Sequence, residues 1–318
     1  MAVVEVEGLC KRYGETVAVD DVSFAVERGE IFGIIGPNGA GKTTLVECVE
    51  GVRRADRGRI RVLGLDPLRD RARLRQVMGA QLQGGALPEK LRVGEAVALY
   101  RSFYPDGADP GRLLDELGLT AKRKTAFENL SGGQAQRLSI ALALVGKPRI
   151  AVLDELTTGL DPQARRGVWE LIEQIRDTGV TVLLVTHFMA EAERLCDRVA
   201  VIDRGRLAAL DTPGGLIARL DSPQRVRFRV AAPFDAAVLA GLDGVGEVRT
   251  DRGETVVTGT GDLLHTVGSA LVRHGVVATE TRLENATLDD AFLALTGRTP
   301  GDGPDEGPGE GPGEGDAA

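Results

Sequence analysis

The sequence predicts an α/β protein whose main domain contains a largely parallel sheet. Over residues 1 to about 220, strand-like and helix-like segments alternate along the chain. Short apolar runs at 31–35, 150–153 and 180–185 have the length and composition of buried strands. Each run ends in polar residues, and the carboxyl edge of a parallel sheet is where its ligand sites lie.

Two further layers accompany this sheet. Residues 3–7 and 17–26 alternate apolar and polar side chains, which indicates an antiparallel β layer near the amino terminus. Between the first and second buried strands, apolar residues over 93–126 recur at three- and four-residue spacing, which predicts a helical subdomain.

After residue 220 the pattern changes to that of a small α+β C-terminal domain. The predicted elements follow the order βαββαβ, the pattern of a split ferredoxin-like domain. They are strands at 225–230, 245–249, 255–258 and 276–282, and helices at 234–242 and 263–274. A last helix is predicted over 288–295, with Thr287 as its N-cap.

The end of the chain has a different composition. Residues 299–318 are rich in Gly, Pro and acidic side chains and contain no basic and no large apolar residue. Such a segment cannot bury enough surface to offset its ordering entropy, so we expect an acidic, disordered tail. The predicted domains are therefore 1–220, 221–298 and 299–318.

Charge and composition limit the class of protein. The chain carries −8 overall, but without the six acidic residues of the tail the rest carries about −2. A nearly neutral body gives no argument for a nucleic-acid partner. The three cysteines lack paired or metal-binding spacing, and the sequence shows neither a signal peptide nor an apolar span of ~18 residues. We expect a cytoplasmic protein whose membrane role, where it has one, comes from a partner.

A glycine-rich loop follows the first buried strand. Residues 36–44 fit G-x-x-x-x-G-K-[ST] and lie between a strand and a helical segment, the context that this motif requires. Backbone N–H groups of such a loop surround a phosphate, while Lys42 reaches the β- and γ-phosphates and the Thr43 hydroxyl binds Mg²⁺. The candidate nucleotide-binding residues are Gly36, Asn38, Gly39, Gly41, Lys42, Thr43 and Thr44. On its own the motif predicts only a nucleotide-binding protein.

Two carboxylates directly follow the second buried strand. Asp154 is placed to hold Mg²⁺ through a water molecule, as the acidic residue at a strand end does in P-loop enzymes. The adjacent Glu155 points elsewhere and can orient the attacking water or accept its proton. Together with the glycine-rich loop, this pair predicts nucleotide hydrolysis.

A second candidate anion site lies about twenty residues before Asp154. Ser131, Gly132 and Gly133 precede an apolar helix, so N–H groups at the start of that helix are exposed. A single chain does not need two phosphate sites for one nucleotide. The arrangement makes sense if this second site faces the γ-phosphate that another subunit binds.

The second site reads LSGGQ over residues 130–134, and with this run the sequence resembles the ABC ATPase family over about residues 3–220. The resemblance implies a P-loop ATPase cassette that forms a head-to-tail homodimer. Two ATP molecules would lie between the glycine-rich loop of one subunit and the signature of the other, which comprises Ser131, Gly132, Gly133 and Gln134.

The resemblance also implies roles for residues elsewhere in the cassette. Tyr13 resembles the aromatic residue that stacks on adenine. Gln83, which motif spacing favours over the nearby Gln81, resembles the glutamine that touches Mg²⁺ and signals to the membrane partner. Asp161 resembles the aspartate of the loop that couples the two sites, and His187 resembles the switch histidine that contacts the γ-phosphate.

One position departs from the family pattern. Many members carry Pro after the Asp-Glu pair, whereas this chain has Leu156. Because proline would fix φ there, leucine is expected to leave the loop freer while keeping every charged and polar group. We therefore expect hydrolysis to be retained.

The segments 186–212 and 288–297 are similar to the daunorubicin-resistance-type ATPases of bacterial drug exporters. This similarity implies an ATP- and Mg²⁺-dependent motor subunit, peripheral on the inner face of the membrane and bound to a separate transmembrane permease. An importer ATPase is an open alternative. A soluble ABC ATPase acting on ribosomes or DNA is the other, although the sequence has neither long coiled coils nor a second cassette.

Overall fold

A computed structural model describes residues 1–81, 87–220, 224–230, 234–251 and 253–297. Gln83 and the acidic segment 299–318 lie outside the described residues. The chain forms two compact units, one of Met1–Pro213 with the described residues from Leu295 onward, the other of Gly214–Ala294. The finer domain limits at 220 and 298 stay a prediction.

The first unit contains nearly all of the predicted strands and helices of the cassette. Its strands are β1 (Ala2–Tyr13), β2 (Thr16–Glu27), β3 (Ile31–Ile35), β4 (Arg57–Val62), β5 (Met78–Ala80), β6 (Ile150–Asp154), β7 (Thr181–Thr186), β8 (Arg198–Asp203) and β9 (Arg206–Asp211). Its helices are α1 (Lys42–Val49), α2 (Arg71–Val77), α3 (Val93–Arg101), α4 (Pro110–Glu116), α5 (Gly132–Leu144), α6 (Pro162–Asp177) and α7 (Met189–Leu195), with 3₁₀ turns at Thr120–Lys122 and Phe127–Asn129.

The remaining elements follow along the chain. They are α8 (Pro213–Ala218), β10 (Gln224–Val230), α9 (Ala237–Ala240), β11 (Val245–Asp251), β12 (Glu254–Gly259), α10 (Leu263–Arg273), β13 (Ala278–Glu284) and α11 (Leu288–Thr296). Within the described residues, every helix falls short of the length and apolar character that a bilayer crossing demands.

The central sheet of the first unit is the predicted parallel sheet. Among the described residues its strand order is β5-β6-β7-β3-β8-β9, and only β9 runs antiparallel to its neighbour. Every residue of β3, β6 and β7 is buried, as expected of strands covered on both faces. The β8–β9 hairpin was not predicted, although its apolar strands flank Arg204-Gly205, a turn signal.

The antiparallel layer is also confirmed, with one added strand. Its order is β2-β1-β4. Strand β4 was not predicted, although arginine alternates with apolar residues from Arg59 to Val62. Helix α1 packs between this layer and the central sheet, since Leu45 and Val46 share one buried cluster with Val4 and Ile34. This packing fixes the start of α1 at the carboxyl end of β3.

The second unit has the predicted βαββαβ order. Its sheet runs β11-β12-β10-β13 with every neighbouring pair antiparallel, the strand order of a ferredoxin-like domain. Helix α9 is shorter than the predicted 234–242, because Asp235 caps a turn before it by accepting a hydrogen bond from the Ala237 N–H. Strand β13 begins later than predicted, after a turn at Gly275 (φ 65°). The Thr287 cap is confirmed, because its Oγ1 accepts from the Asp290 N–H at 3.3 Å.

Candidate active site

The glycine-rich loop connects the end of β3 to the start of α1. Gly39 and Gly41 have φ of 78° and 99°, a region in which side chains are strained. A Cβ on Gly41 would also lie 2.1 Å from the carbonyl oxygen of Ala18. Gly41 is the N-cap of α1 and offers no side-chain cap, so side chains leave the first N–H groups of the helix available. A phosphate group fits such a helix start.

Lys42 lies folded into this loop. Its side chain is buried, and Nζ donates hydrogen bonds to the carbonyl oxygens of Gly36 and Pro37, both at 2.9 Å. Burial lowers the pKa of Lys42, and the nearby carboxylates of Glu155 and Asp154 oppose that shift. The ammonium group is therefore held inside the loop that the motif predicts to bind phosphates.

Asp154 ends β6 and is buried, yet its Oδ1 has no hydrogen-bond partner among the described residues. Burial, followed by the charge of Glu155, raises the pKa of Asp154 to about 7. Its backbone N–H donates to Oε1 of Gln81 at 3.2 Å. An unpartnered buried carboxylate oxygen fits a divalent cation, which prefers oxygen ligands.

Glu155 and His187 meet at the ends of neighbouring strands. His187 Nδ1 lies 3.2 Å from Glu155 Oε1, within hydrogen-bond distance. Glu155 has a left-handed backbone with φ of 48°, and its N–H donates to the carbonyl of Val185 at 2.9 Å. Strained backbone at a residue of this kind is often part of a functional site. The next residue, Leu156, is fully buried, so packing restrains the loop that sequence reasoning expected to be freer.

A stack of three side chains links α6 to His187. The Phe188 ring lies 4.1 Å from the His187 ring, and the Arg165 guanidinium lies 4.7 Å above the Phe188 ring. One turn further along α6, Trp169 Nε1 donates to Oε1 of the buried Glu191 in α7 at 2.9 Å. Arg165, Phe188 and Glu191 were not among the predicted site residues. The contacts depend on how α6 and α7 pack, which a local motif does not reveal.

The signature residues begin α5 and satisfy each other. Ser131 Oγ accepts from the Gln134 N–H at 3.4 Å, and Gln134 Oε1 accepts from the Ser131 N–H at 3.2 Å. This reciprocal pair is a capping box. A Cβ on Gly132 or Gly133 would lie 3.2 Å from Leu160 or Ala164, so the signature packs against the loop and helix that follow the carboxylate pair.

Asp161 and Tyr13 occupy the remaining predicted positions. Asp161 caps α6, its Oδ1 accepting from the N–H groups of Gln163 and Ala164, both at 2.9 Å. Tyr13 is the last residue of β1 and is 41% exposed. Lys11 Nζ lies 5.5 Å from its ring, and the Arg53 guanidinium lies 5.1 Å from it. An exposed aromatic ring can accept a stacking partner.

The structure therefore brings together one group of the predicted residues. The charges of Asp154 and Glu155 act on Lys42, while His187 and Gln81 contact the two carboxylate residues directly. Among the described residues, no hydrogen bond joins the signature to the glycine-rich loop. Gln83 lies outside the described residues, so its predicted role stays a prediction.

A phosphate loop at the start of a helix, beside a buried carboxylate and a Glu–His pair, defines a P-loop protein that hydrolyses nucleotides. Residues 19–158 match the family described as ABC transporter. The chain belongs to the family of ABC transporter ATP-binding proteins, and it is an ATP-binding ABC ATPase.

The similarity to relatives extends over both units. The chain is 38% identical over 303 residues to the daunorubicin resistance ATP-binding protein of Streptomyces coeruleorubidus, which covers 92% of this chain and 96% of the relative. It is 37% identical over 310 residues to the Nod factor export ATP-binding protein I of Ralstonia nicotianae, covering 94% and 95%. It is 32% identical over 312 residues to the linearmycin resistance ATP-binding protein of Bacillus subtilis, covering 94% and 100%.

Solved structures match the cassette. One is described as the ATP-binding subunit of an ABC transporter, with a TM-score of 0.62, 29% identity and coverage of 68% of this chain and 92% of the other. Another comes from Clostridium perfringens and is described as part of the ABC transporter complex cbiONQ, with a TM-score of 0.62, 27% identity and coverage of 69% and 91%. The predicted family and fold class are thus confirmed.

Proposed function

We propose that this ABC ATPase is the motor subunit of a bacterial exporter that moves a hydrophobic compound, such as a drug or antibiotic, through a separate membrane-spanning permease. Relatives named for daunorubicin resistance, linearmycin resistance and Nod factor export support the proposal, because the match covers 95% or more of each of them. The observation that carries the motor role is the Glu155–His187 pair, in which His187 Nδ1 lies 3.2 Å from Glu155 Oε1. The pair adjoins Asp154, and the carboxylates of Glu155 and Asp154 both act on Lys42.

Each residue of the site has a chemical task in this proposal. Lys42 exchanges its bonds to loop carbonyls for bonds to the β- and γ-phosphates of ATP. Glu155 accepts the proton of the attacking water, and His187 holds that carboxylate in place and contacts the γ-phosphate. Tyr13 offers its exposed ring to adenine.

The residues present also fit Mg²⁺. Asp154 supplies a buried carboxylate oxygen without a partner, and the exposed Thr43 supplies a hydroxyl. Gln83 is the proposed third contact, with Gln81 beside Asp154 as the alternative. Held by these residues, Mg²⁺ would supply positive charge against the phosphates as hydrolysis proceeds.

The active form is proposed to be a homodimer with two ATP molecules between the subunits. In one chain the signature helix is capped by its own Ser131 and Gln134, and no hydrogen bond within the described part of the chain joins it to the glycine-rich loop. Its N–H groups would turn to the γ-phosphate held by the other subunit, and Asp161, beside that signature, would couple the two sites. ATP favours the closed dimer because it binds that state more tightly, and this difference in affinity drives the cycle.

The permease is proposed to contact the segment that contains Gln83 and the helix that follows it. On that helix Leu99 is 48% exposed, and Phe103 just beyond its end is 60% exposed, so apolar surface is available to a partner. Binding there would hold the ATPase at the inner face of the cell membrane.

A partner search with a hydrolysis-deficient variant tests the proposal. Glu155→Gln should bind ATP and dimerise, while hydrolysis falls by about 10²- to 10⁴-fold because the proton acceptor is lost. The tagged variant is extracted from native membranes with ATP and mild detergent, and its companions are identified by mass spectrometry. We expect a stoichiometric companion with about six apolar spans.

Lys42→Ala, treated in the same way, is the control that should lack the ATP-dependent dimer. Recovery of ribosomal or DNA-repair proteins from a membrane-free fraction, or of no companion, would replace the transport proposal with a soluble ABC ATPase. Near wild-type hydrolysis by Glu155→Gln would show that another group acts as the base.

A further inference from the structure

One short region of the first unit is strongly basic. Residues 53–75 contain nine arginines and three aspartates, whereas the whole chain carries a net charge of −8. We call these arginines the basic surface: Arg53, Arg54, Arg57, Arg59, Arg61, Arg69, Arg71, Arg73 and Arg75. Arg53 lies 5.1 Å from the Tyr13 ring, while the other eight are not among the residues proposed for the nucleotide site.

The fold gathers the two ends of this region. The Arg71 guanidinium at the start of α2 donates to the carbonyl of Gly51 at 2.9 Å and 2.5 Å. A cleft of about 150 Å³ is lined by Arg53, Arg54 and Arg59 together with Leu68. Arg53, Arg54 and Arg59 therefore lie around one cleft, and Arg71 is bonded to the residue that precedes this segment by two positions.

Most of the positive charge of the basic surface is not neutralised. Arg53 pairs with Glu47, Arg61 with Asp66 and Arg73 with Asp70. The other six arginines form no ion pair with any residue that the structure describes, and all six are exposed. Glu7 stands opposite Arg59 in the β1–β4 register but makes no ion pair with it within the described part of the chain. Unpaired exposed guanidinium groups favour an anionic partner.

Two exposed apolar side chains lie near the arginines of the basic surface. Val52 is 65% exposed and Leu68 is 39% exposed. A Cβ on Gly51 would lie 2.2 Å from the carbonyl of Pro67, so the segments that carry Val52 and Leu68 are packed together. Cations around small exposed apolar residues are the combination that binds a lipid interface, where phosphates lie beside acyl chains.

We propose that the basic surface binds the anionic phospholipid headgroups of a membrane. The choice of a membrane over another polyanion rests on the proposed function, which places the ATPase at the membrane.

Vesicle binding by the purified full-length chain tests this proposal without the permease. Flotation with vesicles of phosphatidylcholine alone is compared with flotation with equal parts phosphatidylcholine and phosphatidylglycerol. We expect binding only to the phosphatidylglycerol vesicles, with loss of binding as salt is raised, because exposed charges are screened.

The variant Arg54→Gln/Arg59→Gln/Arg69→Gln removes three unpaired charges around the cleft. Each arginine near an anionic surface contributes about fivefold in affinity, so the triple variant should bind on the order of 100-fold more weakly. The variant Arg28→Gln/Arg112→Gln/Arg176→Gln changes net charge equally at other surfaces and should bind like the wild type. Thermal unfolding and ATP binding of each variant show whether it is folded.

Equal binding by both triple variants, equal binding to both kinds of vesicle, or no binding by the wild type would overturn the proposal. Binding of the wild type to duplex DNA or RNA in place of vesicles, lost only in the first variant, would overturn it in favour of a nucleic-acid surface. These outcomes leave the partner search with Glu155→Gln unaffected, so the failure of one proposal is distinguishable from the failure of the other.

Discussion

The two helix starts that the sequence marks as anion sites, α1 and α5, differ in how their first N–H groups are capped. Gly41 at the start of α1 offers no side-chain cap, so the first N–H groups of that helix are not capped by a side chain. At the start of α5, Ser131 and Gln134 already satisfy each other. Helix α1 also begins with a buried cation, Lys42.

This difference means that one chain by itself completes the phosphate site at α1 but not the site at α5. Unpaired N–H groups at the start of α1 cost free energy. A phosphate that binds them displaces no side-chain hydrogen bond. At α5 a phosphate must compete with the capping box, whose bonds of 3.2 and 3.4 Å are long. Four predictions test this comparison, from the largest expected effect to the smallest.

The largest effect is expected at the first site. Lys42→Ala should weaken ATP binding by about 100-fold or more, because two charge-assisted contacts to phosphates are lost. Calorimetric titration of the isolated chain measures the affinity. Ser131→Ala is the matched control and should bind ATP like the wild type. If both variants lost affinity equally, the two helix starts would belong to one site.

Ser131→Ala should affect hydrolysis rather than binding. At saturating ATP its rate should fall by about 10- to 100-fold, because the signature no longer presents a complete set of donors. Mixing Ser131→Ala with Lys42→Ala chains should restore part of the rate, since one of the two shared sites is then intact. Phosphate release measures the recovery. A mixture no faster than its components would argue against sites shared between chains.

The other end of α1 predicts a pH effect on stability. Burial raises the pKa of Glu50, the C-cap, to about 7, and the charges of Asp154 and Glu47 add to the shift. The folded chain thus binds this proton more tightly than the unfolded chain, whose carboxyl has an ordinary value of 4.5. Glu50 therefore stabilises the fold less as pH rises from about 4.5 to 7, and above 7 its buried charge is a cost.

Glu50→Gln removes that cost. Above about pH 7 the variant should be more stable than the wild type by on the order of 1 to 3 kcal/mol, and the gap should close toward pH 4.5. Urea unfolding of nucleotide-free protein across this range measures the difference. A gap independent of pH would mean that the glutamate does not titrate in the folded chain.

The smallest effect concerns the capping box itself. Gln134→Ala removes one of its two bonds and should lower the free energy of unfolding by about 0.5 to 1 kcal/mol. Gln136→Ala, on the same helix outside the box, should change it less. Urea unfolding of both variants makes the comparison. A larger loss from Gln136→Ala would show that the box does not stabilise the start of α5.

Local motifs predicted the parts of the fold and site that depend on neighbouring residues. Residues 36–44 lie between β3 and α1, and Asp154 ends β6, as the spacing indicated. The sequence did not predict that His187 and Glu155 meet, because this depends on β7 and β6 being adjacent in the sheet. The sequence did not show that Glu155 has a left-handed backbone, which no side-chain pattern encodes.

Features that depend on distant packing were not predicted. Strand β4 was missed because arginine on its exposed face dilutes its apolar signal. The stack of Arg165 on Phe188 joins residues on separate helices, and its geometry follows from how α6 and α7 meet. The second unit was predicted in element order but not in boundaries, since turns such as Gly275 shift the strand ends by a few residues.

The contact between α6 and α7 has a spectroscopic consequence. Trp169 is the only tryptophan of the chain, and its indole N–H bonds to the buried Glu191 while the Arg194 guanidinium lies 5.2 Å from its ring. Indole emission responds to hydrogen bonding and to nearby charge. The one tryptophan of the wild-type protein lies between the helix that Asp161 begins and the helix that follows His187. Its emission reports the relative position of those helices in unlabelled protein.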